Sequence, residues 1–79
     1  MFYVYVLKSL FYNNRYVGST NNVVKRIEEH NAGKCRYTSG RRPWKLLYQE
    51  QHDSRSNAMI REKFLKSGQG RKFLDHLGL

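Results

Sequence analysis

The chain is 79 residues long, which is enough for one domain and too short for a two-domain cleft or a large enclosed cavity. Its 15 Lys and Arg residues against 6 Asp and Glu give a formal net charge of +9, which favours polyanionic partners such as DNA or RNA. A single cysteine, Cys35, excludes an internal disulfide framework and a four-thiolate zinc site. Because 14% of the residues are aromatic, we expect one folded basic domain over residues 1–79 rather than a disordered tail.

No membrane segment is predicted. The apolar run Val4–Leu7 is far shorter than the ~20 residues that cross a bilayer. No helix pattern pairs a large apolar face with a lysine-rich opposite face, which disfavours binding at a membrane surface. The N-terminal residues do not resemble a secretory signal, so we expect a reduced, cytoplasmic compartment and no membrane partner.

The N-terminal part of the chain predicts a β-hairpin. Residues 2–7 are β-branched, aromatic or leucine, which is typical of a strand. Two asparagines mark a turn, and residues 15–19 form a second strand. Side chains alternate along a strand, so Tyr5 and Tyr16 point the same way if the corresponding faces of the two strands coincide.

A helix and a basic loop are predicted next. Thr20 or Asn21 is a suitable N-cap for a helix over about 22–30. Its apolar stripe is formed by Val23, Val24 and Ile27. Residues 31–43 then read as a loop that is rich in Lys, Arg and Gly.

The C-terminal part predicts a third strand and two helices. The strand covers residues 44–50, and the first of the helices covers about 55–66. The glycine-rich sequence at 67–70 is expected to end this helix before a short last helix over 71–77.

One carboxylate in the helix over 55–66 has unusual neighbours. At 100° per residue, Glu62 falls on a stripe of apolar side chains. The stripe consists of Ala58, Met59 and Leu65. An isolated buried carboxylate is costly unless it is paired or holds a metal ion. The alternative is an ordinary salt bridge between Glu62 and Lys66, one helical turn later.

Two short motifs in the hairpin resemble those of the GIY-YIG nuclease superfamily. They read Tyr3-Val4-Tyr5 and Tyr16-Val17-Gly18, and residues 16–22, 40–46 and 58–68 extend the resemblance over nearly the whole chain. The ordered set is similar to the small single-domain branch related to the N-terminal catalytic domain of the excinuclease subunit UvrC. This resemblance implies an α/β fold with a three-stranded antiparallel sheet flanked by helices, in the order β-β-α-β-α-α.

The resemblance also implies an endonuclease that cleaves phosphodiester bonds with one divalent metal ion, Mg²⁺ or Mn²⁺. Carried over by position, the implied catalytic residues are Tyr5, Tyr16, Arg26, His30 and Glu62. Among these, Glu62 is the implied metal ligand and Arg26 faces the phosphate. Mg²⁺ keeps most of its water, so one carboxylate is compatible with it, and Arg can bond two phosphate oxygens at once.

The sequence does not identify an obvious general base. An unperturbed tyrosine has a pKa of about 10, so it is a poor base near neutral pH. A metal ion or Arg26 would have to lower the pKa of the phenol, or Tyr16 would pass its proton to His30. We favour Tyr16 as the base or water-orienting group and Tyr5 as a hydrogen-bonding group that positions it.

Cations with interleaved aromatic residues predict contact with nucleic acid, most simply DNA, at phosphate groups. The candidate binding residues are Lys34, Arg36, Arg41, Arg42, Lys45, Lys66 and Arg71. No helix-turn-helix or zinc-finger pattern is present, so we expect structure-specific or weakly selective binding. The relation to an excinuclease domain suggests DNA repair, and both a partner protein and a homodimer are compatible with the sequence.

A second hypothesis is a non-catalytic nucleic-acid-binding module that keeps the nuclease fold. Two departures from the family pattern favour it. Tyr3 stands where the first motif carries glycine, and no asparagine follows Asn57, whereas UvrC-like domains carry one well after the metal-binding glutamate. A cleavage assay that is sensitive to chelation separates the two hypotheses.

Overall fold

A computed structural model describes residues 1–79 as a three-stranded antiparallel sheet with three α-helices. The elements in chain order are β1 (Phe2–Ser9), β2 (Arg15–Thr20), α1 (Val23–Asn31), β3 (Trp44–His52), α2 (Arg55–Lys66) and α3 (Gly68–His76). A 3-10 turn over Ser39–Arg41 precedes β3. The predicted fold class and the predicted order of elements are therefore confirmed.

The central strand separates two apolar cores. The sheet order is β2-β1-β3, so β1 is paired on both sides and β2 lies at one edge. On one face, α2 and α3 cover a cluster of Val4, Val6, Val17, Ala58, Leu65 and Leu74. On the other face, a smaller cluster contains Tyr5, Leu7 and Trp44, with Tyr16 and Ile27 packed against it. This alternation leaves the side chains of β2 divided between the two faces.

The junction between α2 and α3 differs from the prediction. The chain does turn at Ser67, whose amide N–H donates to the carbonyl of Phe64, but α3 already begins at Gly68. The Ser67 hydroxyl accepts a hydrogen bond from the N–H of Gly70 at 3.2 Å and so caps the new helix. A Cβ at Gly70 would lie 2.1 Å from the Phe64 oxygen, so the glycine permits close packing of the two helices. The glycines that predicted a break instead form the first turn of α3.

Smaller differences occur at the predicted boundaries. The N-cap of α1 is Asn22, whose side chain accepts a hydrogen bond from the N–H of Lys25 at 3.1 Å, rather than Thr20 or Asn21. Val24 is exposed, so the apolar stripe of α1 is narrower than its sequence suggests. Strand β3 continues two residues beyond the predicted end. None of the three helices combines the length and the apolar character that crossing a bilayer requires.

Candidate active site

Two tyrosines from neighbouring strands meet on the α1 side of the sheet. Tyr5 on β1 is only 1% exposed, whereas Tyr16 on β2 is half-buried. Their ring centroids are 6.4 Å apart, and the planes are tilted by 41°. Strand alternation therefore brings the two phenols together as the sequence predicts, with Tyr16 the more accessible of the two.

Gly18 provides the space for the Tyr5 ring. The two residues are partners in the register of β1 and β2. A Cβ at Gly18 would lie 2.5 Å from Tyr5 Oη, 2.7 Å from Tyr5 Cζ and 3.1 Å from Tyr16 Cε2. The two distances to Tyr5 are shorter than those that real Cβ atoms show. The second motif therefore carries glycine because the buried phenol lies directly on the backbone of β2.

His30, in the last turn of α1, is fully buried beside the phenols. The Thr38 hydroxyl donates to the carbonyl of Cys35 at 3.3 Å, so its oxygen must accept the proton of His30 Nδ1, which lies 2.7 Å away. This leaves His30 Nε2 as an acceptor for the Tyr5 hydroxyl at 3.0 Å. His30 is therefore bonded to Tyr5, while its ring only contacts the Tyr16 ring edge-on at 5.0 Å. No direct hydrogen bond joins Tyr16 to His30, so the alternative in which Tyr16 passes its proton to His30 has no direct path.

Burial and a neighbouring positive charge keep His30 neutral. Burial, together with the positive charge of Arg26, lowers the pKa of His30 below its usual value of 6.5. A neutral ring is the form that can accept the Tyr5 hydrogen bond at Nε2 while donating from Nδ1. The hydrogen bonds and the electrostatics therefore favour the same protonation state.

Arg26 lies one helical turn before His30 on α1. Its guanidinium donates to the carboxylate of Glu29 at 3.1 Å and lies beside Tyr5. The Tyr5 hydroxyl and Glu29 raise the pKa of Arg26, so the guanidinium stays charged. About a third of this side chain remains exposed, which leaves it accessible to an incoming phosphate.

Both phenols hold their protons more firmly than free tyrosine. Burial raises the pKa of Tyr5 to about 12, although Arg26 acts in the opposite direction. Burial is also the main reason that the pKa of Tyr16 is raised, with the nearby Cys35 thiol adding to the effect. Arg26 alone therefore does not lower the pKa of either phenol below its usual value, which contradicts one of the routes to a base that the sequence left open. At neutral pH both tyrosines are present as neutral phenols.

Glu62 lies on the other side of β2. Its Oε1 accepts a hydrogen bond from the Ser19 hydroxyl at 2.7 Å, and its Oε2 accepts one from Lys66 Nζ at 2.8 Å. Ser19 follows Gly18 on the strand and so points to the opposite face, toward α2. The side chain of Glu62 is 22% exposed.

The apolar stripe predicted around Glu62 is only partly correct. Ala58 and Leu65 are buried in the core, but Met59 is largely exposed. The carboxylate therefore does not lie in a hydrophobic interior, and it forms the i to i+4 ion pair with Lys66 that the alternative interpretation expected. A polar partner on β2 keeps Glu62 at the edge of the sheet.

Lys66 lies between the Glu62 carboxylate and the Tyr16 ring. Its Nζ lies 5.9 Å from the centroid of the Tyr16 ring while it is bonded to Glu62. The five predicted catalytic residues are therefore distributed around the edge strand β2, with Tyr5, Tyr16, Arg26 and His30 on one side and Glu62 on the other. The carboxylate therefore does not share one face of the sheet with the other four residues, and the catalytic roles of all five stay a prediction.

The donor set around Glu62 is compatible with a hydrated divalent cation. No group of three or more His, Cys, Asp or Glu side chains comes together, so a fully protein-ligated metal site is absent. Each Glu62 oxygen carries one hydrogen bond and retains a lone pair, and the Lys66 ammonium that occupies Oε2 is half exposed. Mg²⁺ typically binds through one or two carboxylates plus water, which matches this arrangement.

An open cleft of about 790 Å³ runs beside Tyr16. Lys66 and Arg71 line this cleft together with Tyr16 and Tyr37, whose rings lie 5.7 Å apart. The other predicted nucleic-acid-binding residues are exposed on the loop before β3 and at the start of that strand, outside the cleft: Lys34, Arg36, Arg41, Arg42 and Lys45. The structure thus places two of the seven cations in the cleft with Tyr16.

Two residues of the site were not identified from the sequence. Thr38 fixes the tautomer of His30 from the loop before β3, and no periodicity or motif marks that position. Ser19 bonds Glu62, and the alternation of β2 could have indicated it because Val17 and Ser19 share one face.

Comparison with known proteins agrees with the motifs. The family model of the GIY-YIG catalytic domain matches residues 1–73. A UPF0213 protein of Staphylococcus haemolyticus is 50% identical over 66 residues, which is 82% of this chain and 79% of the relative. A UPF0213 protein of Natronomonas pharaonis is 48% identical over 66 residues, with 82% and 76% covered.

The fold is also similar to a structure determined in solution. The NMR structure of a UPF0213 protein from Bacillus halodurans has a TM-score of 0.57 and 34% sequence identity, and the match covers 98% of this chain and 85% of that one. The chain therefore belongs to the GIY-YIG catalytic domain family, which supports a nuclease-type function and implies a nucleic-acid substrate.

Proposed function

We propose that this protein is a metal-dependent endonuclease that hydrolyses phosphodiester bonds in DNA with structure-specific or weak selectivity. The observation that supports it most directly is the gathering of five chemically suitable side chains around one edge strand. Those side chains are Tyr5, Tyr16, Arg26, His30 and Glu62. Four are contributed by β1, β2 and α1 on one face of the sheet, and one by α2 on the other.

Phosphodiester hydrolysis needs an oriented water nucleophile and positive charge to offset the charge that develops on the phosphate. Arg26 supplies a fixed positive charge that is partly exposed, and its planar head can donate to two phosphate oxygens. The hydrogen bond from Tyr5 to His30 holds the Tyr5 phenol in place beside Arg26. Tyr5, His30 and Thr38 thus form a hydrogen-bonded chain beside the guanidinium.

Tyr16 is assigned to the water. It is the more accessible phenol and lines the open cleft, so its hydroxyl can contact solvent and substrate. Because its pKa is raised, it acts as a neutral phenol that orients the attacking water by hydrogen bonding, not as a phenolate base. This preserves the role expected for Tyr16 while excluding an anionic form in the free protein.

Glu62 is assigned to the metal ion, with Ser19 holding the carboxylate in position. Glu62 would hold the divalent ion through its carboxylate, and the chemistry supplied there would be a lowered pKa of bound water and positive charge to offset that of the phosphate. Lys66 must release Oε2 for the cation to approach, and its exposure allows the ammonium to turn toward the phosphate backbone instead.

Cleavage of defined oligonucleotides tests the proposal. Nicked, flapped, single-stranded and duplex DNA, with matched RNA, are incubated with Mg²⁺ or Mn²⁺. We expect cleavage of at least one DNA substrate that chelation abolishes. Glu62→Gln and Tyr16→Phe should remove cleavage while binding to DNA survives. Glu28→Gln is the matched control, since that glutamate is exposed and forms no ion pair, and it should retain full activity. Cleavage at the original rate in both site variants would show that the assigned residues are wrong.

The binding-module hypothesis has one supporting observation in the structure. Leu74, twelve residues after Glu62, is buried in the core, so no amide side chain stands there to assist the site. DNA binding without cleavage of any substrate in either metal would favour this second function.

A further inference from the structure

The loop that joins β1 to β2 carries three exposed apolar side chains in succession. Leu10 is 54% exposed, Phe11 77% and Tyr12 53%. Hairpin loops normally carry polar or glycine residues, because apolar groups there gain nothing from the core. We call residues 10–12 the hairpin tip.

The hairpin tip is held in a defined shape. The buried Ser9 hydroxyl accepts hydrogen bonds from the N–H groups of Phe11 at 3.4 Å and Tyr12 at 3.1 Å. The Ser9 N–H donates to the carbonyl of Asn14 at 3.1 Å, which closes the loop. Its apolar side chains are therefore presented by an ordered backbone, so little conformational entropy is lost when they bind a partner.

The same backbone ties the tip to the loop before β3. The Ser9 hydroxyl donates to the carbonyl of Arg41 at 2.8 Å, and the Leu10 N–H donates to the carbonyl of Pro43 at 3.0 Å. These two bonds fix Arg41 and its neighbour Arg42 beside the apolar residues. Both guanidinium groups are exposed.

Further cations lie at this end of the sheet. Lys8 and Lys45 are direct partners in the antiparallel register, a placement in which like charges repel. Neither lysine has a carboxylate within 4 Å, nor have Arg41 and Arg42. An apolar tip with four unbalanced cations around its base is complementary to stacked bases flanked by phosphates, and not to an uncharged protein surface.

The tip also lies next to the proposed site of cleavage. Asn13 and Asn14, which follow it, line the same cleft as Tyr16, Lys66 and Arg71. The hairpin tip is therefore joined directly to residues that line the cleft, so a nucleic acid bound there is within reach of the tip.

We propose that the hairpin tip is a wedge that inserts between bases of the nucleic-acid substrate, while Lys8, Arg41, Arg42 and Lys45 bind the adjacent phosphates. This inference rests on the proposed nuclease function and adds to it a means of choosing the substrate. Unstacking a base step costs a few kcal/mol in continuous duplex and less at a nick or mismatch. The wedge therefore favours DNA whose stacking is already interrupted.

The test uses a nicked DNA duplex with 2-aminopurine beside the nick, in the presence of a chelator so that the strands stay intact. Wild-type protein should raise the 2-aminopurine fluorescence as it binds, because the base is unstacked. Phe11→Ser should lose most of this rise and bind about tenfold more weakly, the size expected for one aromatic stacking contact. Ile60→Ser is the matched control, since Ile60 is 68% exposed on α2 and outside the cleft. It should behave as wild type, and circular dichroism should show all three proteins folded.

The outcomes separate the wedge from the nuclease function. Unchanged fluorescence and affinity in Phe11→Ser would overturn the wedge and leave the nuclease proposal standing. Absence of any DNA binding by the wild-type protein would overturn both. A change of sedimentation coefficient in Phe11→Ser, or loss of binding to anionic vesicles, with unchanged DNA binding would overturn the wedge by assigning the tip to a second copy or to lipid.

Discussion

Gly18→Ala should damage both the fold and the site, because the added methyl group has no space. The new Cβ would lie 2.5 Å from Tyr5 Oη and 2.7 Å from Tyr5 Cζ. Tyr5 is 1% exposed and bonded to His30, so it cannot swing into solvent. Overpacking of this kind costs about 1–3 kcal/mol, and loss of the buried hydrogen bond adds about 1 kcal/mol.

A small gain offsets part of this cost, since alanine loses less backbone entropy than glycine on folding, by roughly 0.5–1 kcal/mol. The free energy of unfolding should therefore fall by about 1–3 kcal/mol. For a domain of this size that lowers the melting temperature by about 4–24 °C. Circular dichroism melts measure this change, and DNA cleavage should fall in parallel because the displaced Tyr5 phenol disturbs the site beside Arg26.

Two further variants isolate the cause. Gly40→Ala makes the same chemical change where no atom lies within 4 Å, so its melting temperature should stay close to that of the wild type. Adding Tyr5→Phe to Gly18→Ala should not restore stability, because Cζ still clashes after the hydroxyl is removed. If Gly18→Ala melts and cleaves like Gly40→Ala, the close packing of Tyr5 on β2 is wrong.

Three other predictions follow from the hydrogen bonds and charges. Thr38→Val leaves the buried Nδ1 proton of His30 without an acceptor, so the free energy of unfolding measured in denaturant titrations should fall by about 1–3 kcal/mol. The pH profile of cleavage should also shift. The pKa of His30 is lower in the folded state than in the unfolded state, so its contribution to stability is present above about pH 6.5 and is lost as the pH falls below that value toward the folded pKa. Thermal melts from pH 7.5 to 5 should show this loss of stability, and His30→Gln should make the melting temperature less dependent on pH. Lys66→Met should change the unfolding free energy by no more than about 1 kcal/mol, since the lysine is half exposed, yet it should strengthen Mn²⁺ binding at Glu62 in calorimetry. The same affinity in Lys66→Met and in the control Lys63→Met would contradict competition between the ammonium and the metal.

Elements with strong local patterns were predictable from the sequence. The run of aromatic and β-branched residues in β1 depends only on local strand geometry. The shared face of Tyr5 and Tyr16 depends in addition on the register of β1 with β2, and the structure has both. The start of α3 was not predictable in this way. Glycine propensity argues against a helix at Gly68. The local cap from Ser67 and the close packing of Gly70 on α2, which is a tertiary effect, together override it.

The pKa values in the site were less predictable from the sequence than the identity of the residues that form it. Sequence position identifies the phenols, yet their raised pKa values come from burial, which depends on packing by distant segments. Likewise, Thr38 reaches His30 only because the loop before β3 folds back onto α1. Hydrogen-bond partners that are supplied by loops leave no periodic signal in the chain.

The pleat of one strand sets the spacing between the two halves of this site. Gly18 accommodates the phenol on one side of β2, and the next residue, Ser19, holds the carboxylate on the other. An insertion of one residue within β2 would exchange the two faces and disconnect both halves at once, whereas an insertion in the loop that precedes the strand would leave them aligned. The hairpin can therefore change its length in the loop between the strands, but not within β2.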